Sequence, residues 1–240
     1  KDQSYFLYTL GQQQLSCADF PVGELAKPAV RQMASEAGFK VHNKKDSTGI
    51  CFIGERDFRS FLATYVDSEA GEMRTPEGQL IGEHQGLAFH TLGQRQGLGI
   101  GGVRGFPDAP WYVLHKDLTN NVLYVGQQHD HSWLLSRQVI ANELSWTSGA
   151  APQKGVLLQA QVRYRQPAQD CRVVEVGGDL LKVEFVNPQW AVTPGQSIVL
   201  YDGENCLGGG IIQYSDTPPA GEWKPQAAKS EVATEEVAGI

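Results

Sequence analysis

VLLQAQVRYR (156–165), CRVVEV (171–176), LLKVEFV (180–186), SIVLYD (197–202) and GGGIIQY (208–214) follow one another at even spacing. Pro167, Gly177–Gly178 and Asp202–Gly203 fall between them, residue types that preset or tolerate turn geometry. Short runs rich in β-branched residues, punctuated in this way, predict antiparallel strands closing into a small barrel. From about Trp133 to Tyr214 the chain reads as nearly all strand.

Upstream the pattern changes. Between Asp67 and about His131 the chain is rich in glycine and short strands. A turn at Glu77–Gly78 separates MRT from QLIG, and WYVLHKD and VLYVG flank LTNN as a hairpin. Residues 1–66 read as helical. Asp2 can cap a helix through Tyr5, Phe6 and Leu10, with Gly11 at its end. Pro28 suits a first helical turn. Val30, Met33, Ala34 and Ala37 follow at helical spacing, and Gly38 closes that helix. Phe58, Phe61, Leu62, Tyr65 and Val66 share one face of a third. The fold expected is α+β: a helical segment at 1–66, a β-rich central unit at 67–132, a barrel at 133–215 and a disordered tail at 216–240.

The chain has 240 residues and a formal charge of −7. Such a balance does not advertise nucleic acid, so any RNA contact must use a local basic face. Lys40, Lys44 and Lys45 could supply one, and so could Arg163, Arg165 and Arg172. No apolar run approaches the length of a membrane span. The four cysteines, Cys17, Cys51, Cys171 and Cys206, are far apart and form no CxxC pair, which argues against a zinc ribbon and for reduced thiols in the cytoplasm. His129 and His131 lack a third ligand nearby, so no metal is expected. The opening KDQSYFLYTL has the character of a helix rather than of a signal peptide, and the chain is expected to be a piece of a longer protein.

Two glycine-punctuated stretches invite chemistry. In KKDSTGICFIGE (44–55), Cys51 stands just ahead of the third expected helix. Helix N-terminal amides and the nearby Lys44 and Lys45 would lower its thiol pKa. The apolar Phe52 and Ile53 suit a buried structural cysteine equally, and the residues alone weigh towards that. Gly97, Gly99 and Gly102 match the GxGxxG spacing, but Val103-Arg104-Gly105-Phe106-Pro107 does not begin a helix. A structural loop is therefore the better reading, with Arg95 beside it either on a phosphate or in solvent.

KDQSY, FPVGELAKPAVR, KDSTGICFIGE, GEHQGLAFHTLGQRQGLGIGG, WYVLHKD, VRYRQ and TPGQSIVLYDGENCLGGGII together resemble segments of the bacterial tRNA-specific 2-thiouridylase family, in family order over roughly residues 1–214. The resemblance implies an ATP-dependent sulfurtransferase that places sulfur at C2 of the wobble uridine in tRNAs for lysine, glutamate and glutamine. It implies that Cys51 is the second of two catalytic cysteines, carrying sulfur as a persulfide and able to form a disulfide with the first. It places ATP and the first cysteine in an N-terminal nucleotide-binding domain upstream of this chain, so that these residues alone are expected to be inactive. A cysteine desulfurase or relay protein would be the donor. By the same resemblance Lys1, Asp2, Gln3, Arg163, Tyr164 and Gln196 contact tRNA. Arginine can pair with phosphate and tyrosine can stack on a base. For Arg163 and Tyr164 the residues alone also allow a strand alternating an exposed arginine with an inward tyrosine. The competing function is a non-catalytic RNA-binding module, because a small barrel after a linking unit also resembles the second domain of translation elongation factors.

Overall fold

The structure, a computed structural model, describes residues 3–44, 64–65, 69–164 and 166–218. The readings made for Lys1, Asp2 and Cys51, for almost all of the third helix and for residues 219–240 lie outside the described residues.

Among the described residues ten strands carry the fold. The first four are β1 (Gly71–Arg74), β2 (Leu80–His84), β3 (Tyr112–Asp117) and β4 (Val122–Gly126), in one sheet of order β2-β1-β4-β3. Its two hairpins are those expected. β1 and β2 turn through Gly78 at φ 88°, and β3 and β4 through Asn121 at φ 53°. The pairing that joins them, β1 parallel to β4, had no signal in the sequence. Met73, Leu92, Trp111, Val113, Leu114, Leu123 and Val125 bury one core on this sheet.

The remaining six strands are β5 (Leu135–Trp146), β6 (Leu157–Gln161), β7 (Gln169–Gly177), β8 (Leu180–Trp190), β9 (Ser197–Asp202) and β10 (Asn205–Ser215). They form the closed barrel β10-β5-β8-β7-β6-β9, antiparallel at every pairing. Alternate residues fill it: Leu158, Ala160 and Val162, then Cys171 and Val173, then Leu181, Val183 and Phe185, then Ile198 and Leu200. Period-two burial of this kind is what a strand with one inner face dictates. The chain is thus α+β with a C-terminal antiparallel barrel.

Two local expectations need correction. Val162, Arg163 and Tyr164 do not continue a strand: β6 ends at Gln161, and Arg163 and Tyr164 stand in the bend that follows. Asp216 is not the start of a free tail. Its Oδ1 accepts hydrogen bonds from Ser136 Oγ (2.6 Å) and from the amides of Arg137 and Gln138 (2.9 Å each), tying the end of β10 to the start of β5.

Among the described residues of the N-terminal segment the first helix is shorter than expected. The helices α1 (Ser4–Leu7) and α2 (Gln12–Leu15) have four residues each, and α3 (Lys27–Glu36) has ten. Gly11 does not end the first helix; it is the N-cap of α2. α1 stops early because Tyr5 and Tyr8 are anchored on the barrel and the chain turns there, with the Leu10 amide bonding the Leu7 carbonyl. α3 follows the expected pattern. Pro28 lies in its first turn, and Gly38 at φ 76° donates its amide to the Ser35 carbonyl. Phe6, Phe20, Met33 and Phe39 leave more than half of their surface exposed. Among the described residues no helix is long and apolar enough to cross a membrane.

Candidate functional site

Where the N-terminal segment meets the barrel, four tyrosines gather. Tyr5, Tyr8 and Tyr201 are buried together with Val199, and Tyr164 packs against them. Tyr5 Oη donates to the Ser197 carbonyl at 2.9 Å, and Ser197 Oγ donates to Tyr8 Oη at 3.1 Å. Tyr201 Oη donates to Gln161 Oε1 at 2.9 Å. Burial pushes the Tyr5 phenol up to about 12. The Tyr164 ring lies 4.4 Å from that of Phe6 and 6.1 Å from that of Tyr5. This packing brings three of the residues selected from the sequence into one neighbourhood. Gln3 stands two residues before Tyr5, Tyr164 packs beside it, and Gln196 precedes Ser197. Gln3 and Gln196 are exposed, and Tyr164 is half-buried.

Arg163 behaves differently from an expected phosphate ligand. Its guanidinium turns inward, and Nη2 donates to the Leu92 carbonyl at 2.7 Å and to Thr193 Oγ1 at 2.9 Å. Cζ lies 5.5 Å from the centre of the Trp190 ring, within cation–π range. Desolvation lowers its pKa. Leu92 belongs to the central sheet unit and Thr193 to the barrel, so one side chain ties the two. Trp190 completes the seam. Its Nε1 donates to the His129 carbonyl at 2.6 Å, and the His129 ring stacks on the indole at 4.6 Å with an interplanar angle of 8°. The Ala191 amide reaches the Leu134 carbonyl at 2.6 Å, so the end of β8 leaves the barrel core and enters the core of the sheet. Gly93, Trp190, Thr193 and His129 carry this seam, yet only His129 drew notice in the sequence, as half of a weak metal pair. Nothing local signals the others, because they meet only through tertiary packing.

A cleft of about 870 Å³ opens between the N-terminal segment and the barrel. Leu7, Phe20, Val22, Leu25 and Val30 line it, with Cys206 at its barrel wall. Of the thiols described, Cys17 is exposed and Cys171 is buried in the barrel core. Burial pushes the Cys171 thiol up to about 12, which makes it inert as a nucleophile near neutral pH. All three are free thiols.

ATP finds no fitting site among the described residues. The glycines at 97–102 run into a turn rather than a helix, so no helix N-terminus faces that loop, and the cleft is walled mainly by apolar side chains. Among the described residues no group of three His, Cys, Asp or Glu side chains could hold a metal ion. His129 instead stacks on Trp190, and His131 Nδ1 accepts the Trp133 amide at 3.1 Å.

Comparison with known proteins divides the chain in the same order. Residues 1–55 match the family model described as a tRNA methyl transferase HUP domain, residues 59–127 its PRC-barrel domain, and residues 136–212 an aminomethyltransferase beta-barrel domain. The protein named tRNA-specific 2-thiouridylase MnmA in Cupriavidus metallidurans is 58% identical over 213 residues, covering 89% of this chain and 59% of its own length. Those of the same name in Burkholderia multivorans and Xanthomonas campestris are 52% and 53% identical over 97% of this chain and 61% of their own. This chain belongs to the MnmA family. It spans about three fifths of the length of these relatives. Membership in the MnmA family matches the resemblance carried by the motifs from KDQSY to TPGQSIVLYDGENCLGGGII.

Proposed function

We propose that this chain is part of an enzyme that converts the wobble uridine of tRNA to 2-thiouridine, with Cys51 carrying the sulfur. The observation that supports it most is the joining of a closed barrel to the N-terminal segment at a tyrosine cluster that includes Tyr164 and is flanked by Gln3 and Gln196. A surface built from distant parts of the chain suits a large folded partner better than a small molecule. Lys1, Asp2, Gln3, Tyr164 and Gln196 contact the tRNA in this reading, and Arg163, next to Tyr164, is fixed to Leu92 and Thr193.

Exchange of oxygen for sulfur at C2 needs a better leaving group than hydroxide. ATP supplies that activation from a site in the whole protein outside the residues described here. The task of this chain is to hold the tRNA and to present sulfur. A cysteine persulfide suits the second task because its outer sulfur can be passed on when a second thiolate attacks the inner one, leaving a disulfide. The donor is a protein persulfide, and the substrates are tRNAs of the lysine, glutamate and glutamine type. The protein works in the cytoplasm.

The test is to incubate the whole protein with unmodified tRNA transcript, ATP and a persulfide donor, and to analyse the nucleosides by mass spectrometry. 2-Thiouridine at the wobble position is expected. Tight tRNA binding without any thiolated product would favour the plain RNA-binding module.

A further inference from the structure

The chain has 27 acidic residues, yet three long stretches contain none: 84–107, 144–169 and 185–201. These three stretches converge on Arg163. It lies in the second, and its guanidinium holds the Leu92 carbonyl of the first and the Thr193 hydroxyl of the third. The three stretches that meet at Arg163 thus bring no carboxylate of their own to the junction, in a protein that is acidic on average.

Two exposed turns grow from that junction, and both are rigidly rooted. In the turn at 91–96, the Gly93 amide donates to the Val113 carbonyl at 2.8 Å, and the Val113 amide donates to the Gln94 carbonyl at 2.9 Å. Gln94 ties the turn internally: Oε1 accepts the Thr91 amide at 3.0 Å, and Nε2 donates to the Gln96 carbonyl at 2.8 Å. Arg95 stands at the tip, exposed, with no hydrogen-bonding or ion-pairing partner among the described residues. In the turn at 193–196, the Gln196 amide donates to the Thr193 carbonyl. The Gly195 amide and the Gln196 carbonyl pair with Ile212 on β10 at 2.8 and 2.7 Å. Gln196 is exposed at that tip.

We propose that these two turns form one RNA-binding surface, in which Arg95 is the cation that meets a phosphate and Arg163 is the buried clip that holds the turns together. The proposal rests on the reading of tRNA as substrate and names a contact that reading did not contain. A guanidinium on backbone fixed in advance, in a stretch of chain that holds no carboxylate and with the exposed amides of Gln96 and Gln196 on the two turns, suits a phosphodiester: the cation takes the charge, the amides take sugar or base edges, and little order is lost on binding. Arg163 is placed differently: its Nη2 is committed to the Leu92 carbonyl and the Thr193 hydroxyl, and its Nε is buried. It is a positioning residue.

The experiment is filter binding of an unmodified tRNA transcript to the whole protein across a salt series, for Arg95→Ala, Arg95→Lys and Arg163→Met, with thermal melts and Trp fluorescence in parallel. Arg95→Ala should weaken binding several-fold and reduce the slope of log K against log salt by about 1, with an unchanged melt. Arg95→Lys should keep the slope. Arg163→Met should weaken binding without changing the slope and should shift the emission of Trp190, from which it removes a cation. An Arg95→Ala protein with unchanged affinity and slope would overturn the proposal, even if Arg163→Met failed to fold. A slope reduced by Arg163→Met but not by Arg95→Ala would also overturn it, by placing the phosphate charge on Arg163. Failure of the unaltered protein to bind any tRNA would remove both the functional reading and this surface. Normal binding with an indifferent Arg95 would remove this surface alone.

Discussion

Gly93 sits at φ 75°, and a Cβ built on it would lie 2.5 Å from Cη2 of Trp190 and 2.9 Å from Cβ of Ala191. Backbone conformation and space both demand glycine there, and the neighbours that would have to move are a buried alanine and an indole clamped between Arg163 and His129. Gly93→Ala should therefore destabilise the protein by about 2 kcal/mol or more, read as a lower urea midpoint. Two other residues set an alkaline limit. The phenol of Tyr5 and the thiol of Cys171 each have a folded pKa raised to about 12, from ordinary values of 10 and 9. A raised pKa in the folded state gives stability that is complete below the unfolded value and is lost as pH climbs towards the folded one. The melting temperature should fall between about pH 9 and pH 12, and Cys171→Ala should remove the lower part of that fall. A flat melting profile over this range would mean that neither group is as buried as described. Iodoacetamide at neutral pH should label Cys17 while sparing Cys171, and the sulfur-carrying role proposed for Cys51 predicts that it is labelled fastest of the four cysteines.

At the scale of elements, β5 is the instructive case. Its neighbours in the barrel were legible because alternation and turn residues are local signals. β5 fell within the stretch read as strand from about Trp133 but had no bounds of its own, since LSRQVIANELSW lacks clean alternation. Val139, Ile140 and Ala141 are all buried in succession, and Glu143 takes φ 51°. The strand bends past a bulge while pairing with both β8 and β10, so its pattern answers to two surroundings at once. Its start is fixed by Asp216, read from the sequence as tail. Asp216→Ala removes three acceptor contacts and should cost about 1–2 kcal/mol, measured by urea denaturation, whereas Asp216→Asn should recover part of the loss. The helices show the opposite error. KDQSYFLYTL has the composition of a helix, but packing of Tyr5 and Tyr8 on the barrel holds α1 to one turn.

For the whole molecule, two hydrophobic cores, one on the four-stranded sheet and one in the barrel, meet along β8 and are joined by Arg163 and Trp190. The barrel and the family were readable from the sequence. The seam was not, because Leu92, Arg163 and the segment from Trp190 to Thr193 are far apart in the chain and acquire meaning only when folded. Net charge is equally uninformative about place: −7 describes the average, whereas three carboxylate-free stretches meet at Arg163. The seam also predicts coupling. Arg163→Met and Trp190→Leu remove two sides of one contact, so their destabilisations should be less than additive in a double-mutant cycle. The central claim, that this chain contributes a sulfur-carrying cysteine to a tRNA-modifying enzyme, is tested most directly by Cys51→Ser in the whole protein, assayed with tRNA, ATP and a persulfide donor by nucleoside mass spectrometry. Serine keeps the size and removes the sulfur chemistry, so no 2-thiouridine should form while tRNA affinity and the thermal melt stay unchanged. Thiolation at close to the normal rate, or loss of product only because the variant unfolds, would contradict the role assigned to Cys51.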